Sequence, residues 1–174
     1  VDIKRAAQAG CAHAKRNAAS LGVVKWQKSV TEPMNTPANL SESTDAYNFN
    51  AYVKGASYLW HLRYIVGEEA FTAALLKYHA HWHFKHPSPD DFLREMERAA
   101  GMELDWFQSY WLNTVKTLDY AVANVAAKGS TATTISLKRP GEIAVPVEIL
   151  LKLQDGSTER HYIPVDYQYG SKKF

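Results

Sequence analysis

Residues 51–67 read AYVKGASYLWHLRYIVG, and no other stretch of the chain is so sharply patterned. At 3.6 residues per turn its apolar side chains fall on one stripe, and Gly67 supplies a stop at the C-terminal end. The stripe consists of Tyr52, Ala56, Leu59, Leu62 or Arg63, and Val66. The stretch therefore predicts a helix that packs against a neighbour through this stripe and ends at Gly67.

Near the start of this predicted helix, Tyr52 is followed three residues later by Gly55. Because glycine has no Cβ, the backbone beside the Tyr52 side chain is open to close approach by another group. The residues alone leave two interpretations open. Tyr52 is either an ordinary core tyrosine beside a helix-packing glycine, which composition favours, or the polar group of a site.

Length and composition narrow the classes of function. The 174 residues are 46% hydrophobic, which is enough for one domain or for one domain with a smaller appendage. The net charge is only +2 and there are no basic blocks, which argues against a nucleic-acid partner. No apolar run approaches the roughly 20 residues that span a bilayer, so we expect no membrane span. Cys11, the only cysteine, excludes an internal disulfide and a cysteine zinc site.

Helical signals continue on both sides of the central stretch. Residues 3–21 carry small or apolar side chains at helical spacing and predict a helix with a narrow face. Residues 23–50 contain Pro33, Pro37 and several polar residues, which indicate an irregular connection. A further helix is predicted over residues 68–85, with an acidic start and a basic end, as the helix dipole prefers.

Two shorter helices are predicted after that one. The sequence Ser88-Pro89-Asp90-Asp91 is close to a capping box and opens a helix that runs to Gly101. Asp105 is expected to cap the last helix. Because the connections are short, we expect an antiparallel helical array and assign residues 1–117 to one helical domain.

At about Leu118 the period of the apolar pattern changes from helix to strand. Alternating residues predict four strands, around Leu118–Val122, Thr133–Leu137, Val145–Leu153 and His161–Val165. Pro140-Gly141 and Asp155-Gly156 are the predicted turns. We therefore expect a four-stranded antiparallel meander within residues 118–174, with one strongly apolar face, and an α+β fold for the chain.

Four histidines, at positions 79, 81, 83 and 86, are the densest cluster of potential metal ligands. On a helix His79 and His83 lie one turn apart, as do His83 and His86, so two imidazoles could reach a common metal. A hydrolytic zinc helix of the H-E-x-x-H type also needs a glutamate between its histidines, and here Ala80, His81 and Trp82 intervene. We therefore expect no metal here and interpret the histidines as flanking a packing stripe.

Five motifs occur in a specific order along the chain. They are Tyr52-Val53-Lys54-Gly55-Ala56, Gly67-Glu68-Glu69-Ala70-Phe71, Trp82-His83-Phe84-Lys85-His86-Pro87, Asp91-Phe92 and Gly101-Met102-Glu103-Leu104-Asp105-Trp106-Phe107. From about Tyr47 to Val165 the chain resembles the downstream part of the aminopeptidase N family of zinc metallopeptidases, the gluzincins. The tyrosine of the family's Y-x-K-G pattern is catalytic. The resemblance therefore assigns a catalytic role to Tyr52, and substrate-channel or packing support to Lys54 and Gly55.

The resemblance also implies what this sequence lacks. It contains no H-E-x-x-H, no downstream glutamate helix and no glycine-rich exopeptidase motif, which lie upstream of the tyrosine in the family. We therefore expect the C-terminal part of an aminopeptidase, inactive alone, whose zinc is held by upstream residues. The implied partners are a peptide substrate and the upstream catalytic domain of the same protein. Residues 68–112 would roof the substrate channel, and the β segment would be an Ig-like or fibronectin-like module, possibly incomplete.

Two alternatives to an active aminopeptidase remain at this stage. The chain is also consistent with a non-catalytic helical interaction module, which its many tryptophans would serve, namely Trp60, Trp82, Trp106 and Trp111. These tryptophans stand at core spacings, and aromatic stripes are more often core than binding surface. A catalytically dead homologue is the other alternative, because the zinc ligands are not in this sequence.

Overall fold

The computed structural model describes residues 32–128, 132–153 and 155–168. The helix predicted over residues 3–21 lies outside the described residues. The chain divides into two compact units, one of which covers Gly22–Val115, while the other includes the residues from Lys116 onward. Most of the described helix lies in the first unit, and all of the described strands lie in the second. The predicted α+β class is therefore confirmed.

The helical unit contains five α-helices and one π-helical turn within its described residues. After a short 3₁₀ turn at Ala38–Leu40, they are α1 (Thr44–Asn48), the π turn (Phe49–Lys54), α2 (Gly55–Val66), α3 (Glu68–Trp82), α4 (Pro89–Ala100) and α5 (Asp105–Asn113). α1, the π turn and α2 follow one another without a break, and α3 and α4 pack along each other.

Local sequence signals set several of these boundaries as predicted. Gly67 ends α2 with φ +86°, and Gly101 ends α4 with φ +65°, both in the region that favours glycine. At the start of α4 the Ser88 hydroxyl accepts a hydrogen bond from the Asp91 amide at 3.2 Å, and the Asp91 carboxylate accepts one from the Ser88 amide at 2.9 Å. The predicted capping box is therefore complete.

Three boundary predictions are wrong. Residues 44–48 are helical rather than irregular, because the Ser43 hydroxyl accepts from the Ala46 amide at 3.1 Å and caps α1. α3 ends at Trp82 rather than at residue 85, since the chain turns at Phe84, whose φ is +62°. Asp105 is the first residue of α5 and does not cap it with its side chain.

The core of the helical unit is built on α2 to α5, with one buried residue from α3. Its buried members are Tyr58, Leu62, Ala74, Leu93, Met96, Leu104, Phe107, Trp111 and Leu112. The ring of Tyr58 stacks on Phe107 with centroids 5.1 Å apart and meets Trp111 edge-on at 6.2 Å. These aromatic contacts fix which face of α2 is buried.

The packing stripe predicted for α2 is therefore wrong in its first half and right at Leu62 and Val66. Tyr52 is 69% exposed and Leu59 is 40% exposed, whereas Tyr58 and Leu62 are buried. α2 is apolar around most of its circumference, so periodicity alone does not select a face. The rings of α5 select the face of Tyr58 and Leu62, and of the predicted stripe only its later members, Leu62 and Val66, contribute to the core. Trp60, interpreted above as a core tryptophan, is 63% exposed.

The β unit consists of two separate antiparallel hairpins in its described part. β1 (Ala121–Lys128) pairs with β2 (Ala132–Lys138), and β3 (Val147–Lys152) pairs with β4 (Thr158–Ile163). The predicted four-stranded meander is wrong, because β2 and β3 do not pair among these residues. The alternation along β3 and the Asp155-Gly156 turn are confirmed, with Gly156 at φ +86°.

Pro140-Gly141 is not a hairpin turn, because the chain at Gly141 lies against the backbone of residues 117–119 instead. The amides of Glu142 and Ile143 donate to the Thr117 carbonyl at 2.9 and 3.1 Å. A Cβ at Gly141 would lie 2.4 Å from the Asp119 nitrogen, so only glycine fits. Because of this contact, the segment between β2 and β3 does not form a tight turn.

No helix among the described residues is both long and apolar enough to cross a membrane.

Candidate functional site

Tyr52 lies in the middle of the π turn that joins α1 to α2. The Gly55 amide donates to the Asn50 carbonyl five residues earlier, where an α-helix would use the residue four earlier. Single π turns inserted in α-helices are rare and are frequently found at functional sites. The turn was not predicted from the sequence, which indicated a regular helix here.

The Tyr52 side chain projects into solvent from this turn. It is 69% exposed, and none of the described residues shares a hydrogen bond with its hydroxyl. The core-tyrosine interpretation does not fit Tyr52 in the described unit. It fits Tyr58 instead, which is buried against Phe107 and whose pKa is raised by that burial.

Lys54 fastens the C-terminal end of the π turn. Its ammonium group donates to the Thr114 carbonyl at 3.1 Å, just beyond the end of α5. Burial lowers the pKa of Lys54, because the charged form loses water on entering the protein. Of the two roles inferred for Lys54, packing support fits this contact.

Gly55 has an ordinary helical backbone, with φ −61°. Of the part of the chain that the structure describes, a Cβ built there would meet only the Asn50 carbonyl oxygen, at 3.4 Å, which is ordinary van der Waals contact. The described residues of the chain therefore do not require glycine at this position. The close approach predicted beside Tyr52 involves none of them.

Asn50 and Glu32 hold the N-terminal end of the π turn. The Asn50 amide nitrogen donates to Glu32 Oε1 at 3.2 Å and to the Pro33 carbonyl at 3.4 Å. Both side chains are buried, at 5% exposure each. Sequence reasoning missed this pair, because its members are 18 residues apart and follow no periodic pattern.

The Glu32 carboxylate is satisfied by donors from the segment that follows it. Oε1 accepts from the Ser41 hydroxyl at 2.6 Å, and Oε2 accepts from the Glu42 amide at 2.8 Å. The Ser41 hydroxyl, and after it the Glu42 amide, lower the pKa of Glu32, because both bonds favour the charged form. Glu32 is therefore an ionised group that joins residues 41–42 to Asn50.

Large apolar side chains are exposed on α2 and on the π turn before it. We call this surface the α2 outer face and define it as Tyr52, Leu59, Trp60 and Tyr64, which are 40% to 69% exposed. Arg63 lies over the Trp60 ring, 5.0 Å from its centroid, and pairs with Glu68 at the start of α3. Residues of this size are normally covered when they cluster, so the face is suited to contact with another surface.

The histidine cluster does not converge on a common point. His79 and His83 stack with ring centroids 5.5 Å apart, and His83 Nδ1 lies 3.0 Å from the His79 carbonyl. His81 Nδ1 lies 3.0 Å from Glu95 Oε1, and Arg98 donates to the same oxygen at 3.2 Å. Within residues 32–128, 132–153 and 155–168 no group of three or more His, Cys, Asp or Glu could hold a metal ion. These residues do not fit a zinc centre.

Comparison with known families gives a match over much of the chain. The model of the peptidase family M1 domain matches residues 5–111, a range that contains the π turn and reaches into α5. The match begins further upstream than the resemblance noted above and stops before β1. A search of curated proteins found no match.

Proposed function

This chain belongs to peptidase family M1, and from that membership we propose that it supplies the oxyanion-stabilising tyrosine of a zinc-dependent aminopeptidase. The proposed catalytic residue is Tyr52. The observation that carries this assignment is that Tyr52 is exposed on a π turn whose two ends are fastened, by Asn50 and by Lys54. A fixed backbone with a free phenol suits a group that acts on a bound substrate.

The chemistry proposed for Tyr52 is hydrogen-bond donation to the transition state. When water attacks the scissile carbonyl, its oxygen gains negative charge, and a donor aimed at that position lowers the barrier. The phenolic O–H of a tyrosine is such a donor. Since it acts on the oxyanion rather than on the ground-state carbonyl, its contribution falls mainly on kcat.

We place the zinc ligands upstream of this sequence, because it contains no H-E-x-x-H pattern. We assign no metal to the described residues, and we propose that the isolated chain is inactive. In the complete protein the α2 outer face would contact the upstream catalytic domain, and α3 to α5 would roof the channel for a peptide with a free N-terminus. The exposure of Trp60 and Leu59 supports the first of these contacts.

The exposure of Trp60 also favours a second candidate function, that of a non-catalytic interaction module. In such a protein the α2 outer face would bind a partner, and the Tyr52 hydroxyl would have no part in turnover. A catalytically dead homologue would retain the fold without an intact upstream site. Kinetics of the complete protein separate these candidates from the aminopeptidase.

The test is Tyr52→Phe in the complete protein, with Tyr162→Phe as the matched control. Tyr162 is also exposed, at 55%, and lies on β4. We expect Tyr52→Phe to lower kcat on an aminoacyl substrate by about 100- to 1,000-fold while KM and bound zinc change little. The control should retain full turnover. A Tyr52→Phe enzyme within a few-fold of wild type would remove Tyr52 from the mechanism.

A further inference from the structure

The Glu32 side chain is buried, and three donors among the described residues bond its carboxylate. It accepts three hydrogen bonds, from Ser41, Glu42 and Asn50, at 2.6, 2.8 and 3.2 Å. A buried carboxylate is costly to desolvate unless it is bonded in this way, so such groups have defined geometry. The carboxylate therefore fixes the positions of its three donors, and one of these donors, Asn50, belongs to the π turn.

Asn50 is held through both its side chain and its backbone. Both acceptors of its amide nitrogen, Glu32 Oε1 and the Pro33 carbonyl, require a donor, which determines the orientation of the amide. Its carbonyl accepts the Gly55 amide and closes the π turn. A shift of Asn50 would therefore change the turn itself, and with it the direction of the side chains that the turn carries.

Tyr52 lies two residues after Asn50 and two residues before Lys54. The Asn50 end is bound to Glu32, and the Lys54 end is bound to the Thr114 carbonyl at 3.1 Å. An exposed tyrosine on an unsupported turn would sample many directions, whereas these bonds define the backbone from which Tyr52 projects. A misplacement of about 1 Å at a reacting group costs about 100-fold in rate.

We propose that Glu32 and Asn50 are positioning residues that hold the π turn so that the Tyr52 hydroxyl meets the oxyanion. This inference rests on the proposed function of Tyr52. It adds that Glu32 and Asn50 hold the backbone from which Tyr52 projects. Both side chains are buried, so we assign neither a contact with the substrate. They affect kcat by determining where the Tyr52 hydroxyl lies.

The experiment is a double-mutant cycle in the complete protein, with Asn50→Ala and Glu32→Gln each made alone and with Tyr52→Phe. Asn50→Ala removes the link to Glu32, and Glu32→Gln places an amide nitrogen among donors. We expect each to lower kcat by about 10- to 100-fold in the Tyr52 background, with KM within a few-fold. In the Tyr52→Phe background the same changes should alter kcat by less than about twofold, since the hydroxyl that they misplace is absent.

Glu95→Gln is the matched control. Glu95 is a second buried glutamate, 4% exposed, and it accepts from Arg98 on α4. We expect Glu95→Gln to lower the stability of the protein. Any change that it causes in kcat should be the same in the Tyr52 and Tyr52→Phe backgrounds. If Asn50→Ala does not fold, Glu32→Gln carries the test, because it preserves the side-chain volume.

The possible outcomes separate this inference from the proposed function. Equal losses of kcat in both backgrounds, or no loss in the Tyr52 background, would overturn the positioning role while leaving the catalytic role of Tyr52 intact. If Tyr52→Phe alone leaves kcat unchanged, the proposed function itself fails, and the positioning role fails with it.

Discussion

The substitution Gly→Ala should have opposite effects at Gly141 and at Gly55. At Gly141 the new Cβ would lie 2.4 Å from the Asp119 nitrogen and 2.5 Å from the Thr117 oxygen, and both are backbone atoms. The backbone must shift by about 0.6 Å to reach even 3.0 Å, a separation below which real Cβ contacts are essentially absent. Overpacking of this kind costs about 1–3 kcal/mol, and two backbone atoms of one segment place Gly141→Ala near the upper end of that range.

At Gly55 the same change should stabilise the helical unit. The backbone is helical, and among the described residues the new methyl group meets only the Asn50 carbonyl oxygen, at 3.4 Å. Glycine inside a helix is less stable than alanine by about 0.5–1 kcal/mol, because the unfolded chain loses more freedom on folding. Gly55→Ala should therefore raise the free energy of unfolding by about this amount.

Each unit offers its own assay for this pair. All five tryptophans precede residue 116, so their fluorescence during urea unfolding follows the helical unit that contains Gly55. For Gly141, hydrogen exchange of the slowest amides in β3 and β4 should accelerate by about 30- to 150-fold, the equivalent of about 2–3 kcal/mol. Unchanged exchange in Gly141→Ala, or a lower urea midpoint in Gly55→Ala, would refute the packing described here.

Two further predictions concern His61 and the capping box. Burial lowers the pKa of His61, so the unfolded chain binds the proton more tightly, and the free energy of unfolding should fall as pH drops below about 6.5. His61→Phe should reduce this fall between pH 7.5 and pH 5.5 in urea unfolding, and equal slopes for wild type and variant would contradict it. Ser88→Ala should cost about 1 kcal/mol by the loss of a helix N-cap, measured by thermal unfolding, whereas an unchanged melting temperature would show that the capping box contributes nothing.

Short-range signals in the sequence predicted much of the helical unit. Gly67 ends α2, Ser88 and Asp91 open α4, and Gly156 turns the second hairpin, because each signal acts within four residues of its own position. Even the start of α1 carried such a signal, since Ser43 precedes an acidic first turn, but the prolines upstream obscured it.

The buried face of α2 depends on residues far along the chain and was not predictable from its own pattern. Tyr52 and Tyr58 both stand on apolar stripes of one helix. The rings of Phe107 and Trp111, some fifty residues later, bury Tyr58 and leave Tyr52 exposed. Tertiary packing therefore decides which face of α2 is buried, and helix periodicity alone does not predict it.

The same limit applies to the candidate site and to the strands. The resemblance to a known family pointed to Tyr52 as the candidate, but the π turn that carries it includes Asn50, whose side chain bonds Glu32, 18 residues away. In the β unit the alternating pattern located the strands, with β1 beginning at Ala121 rather than at Leu118. Which strands pair depends on non-local contacts, such as that of Gly141 with residues 117–119.

We propose that the Tyr52 hydroxyl binds the transition state rather than the substrate. The most direct measurement is the inhibition constant of a tetrahedral phosphinate analogue of a dipeptide, determined for wild-type and Tyr52→Phe forms of the complete protein. A transition-state analogue should lose affinity in step with kcat, so we predict an inhibition constant about 100-fold or more higher for Tyr52→Phe, with substrate KM little changed. Equal inhibition constants for the two proteins would contradict the claim.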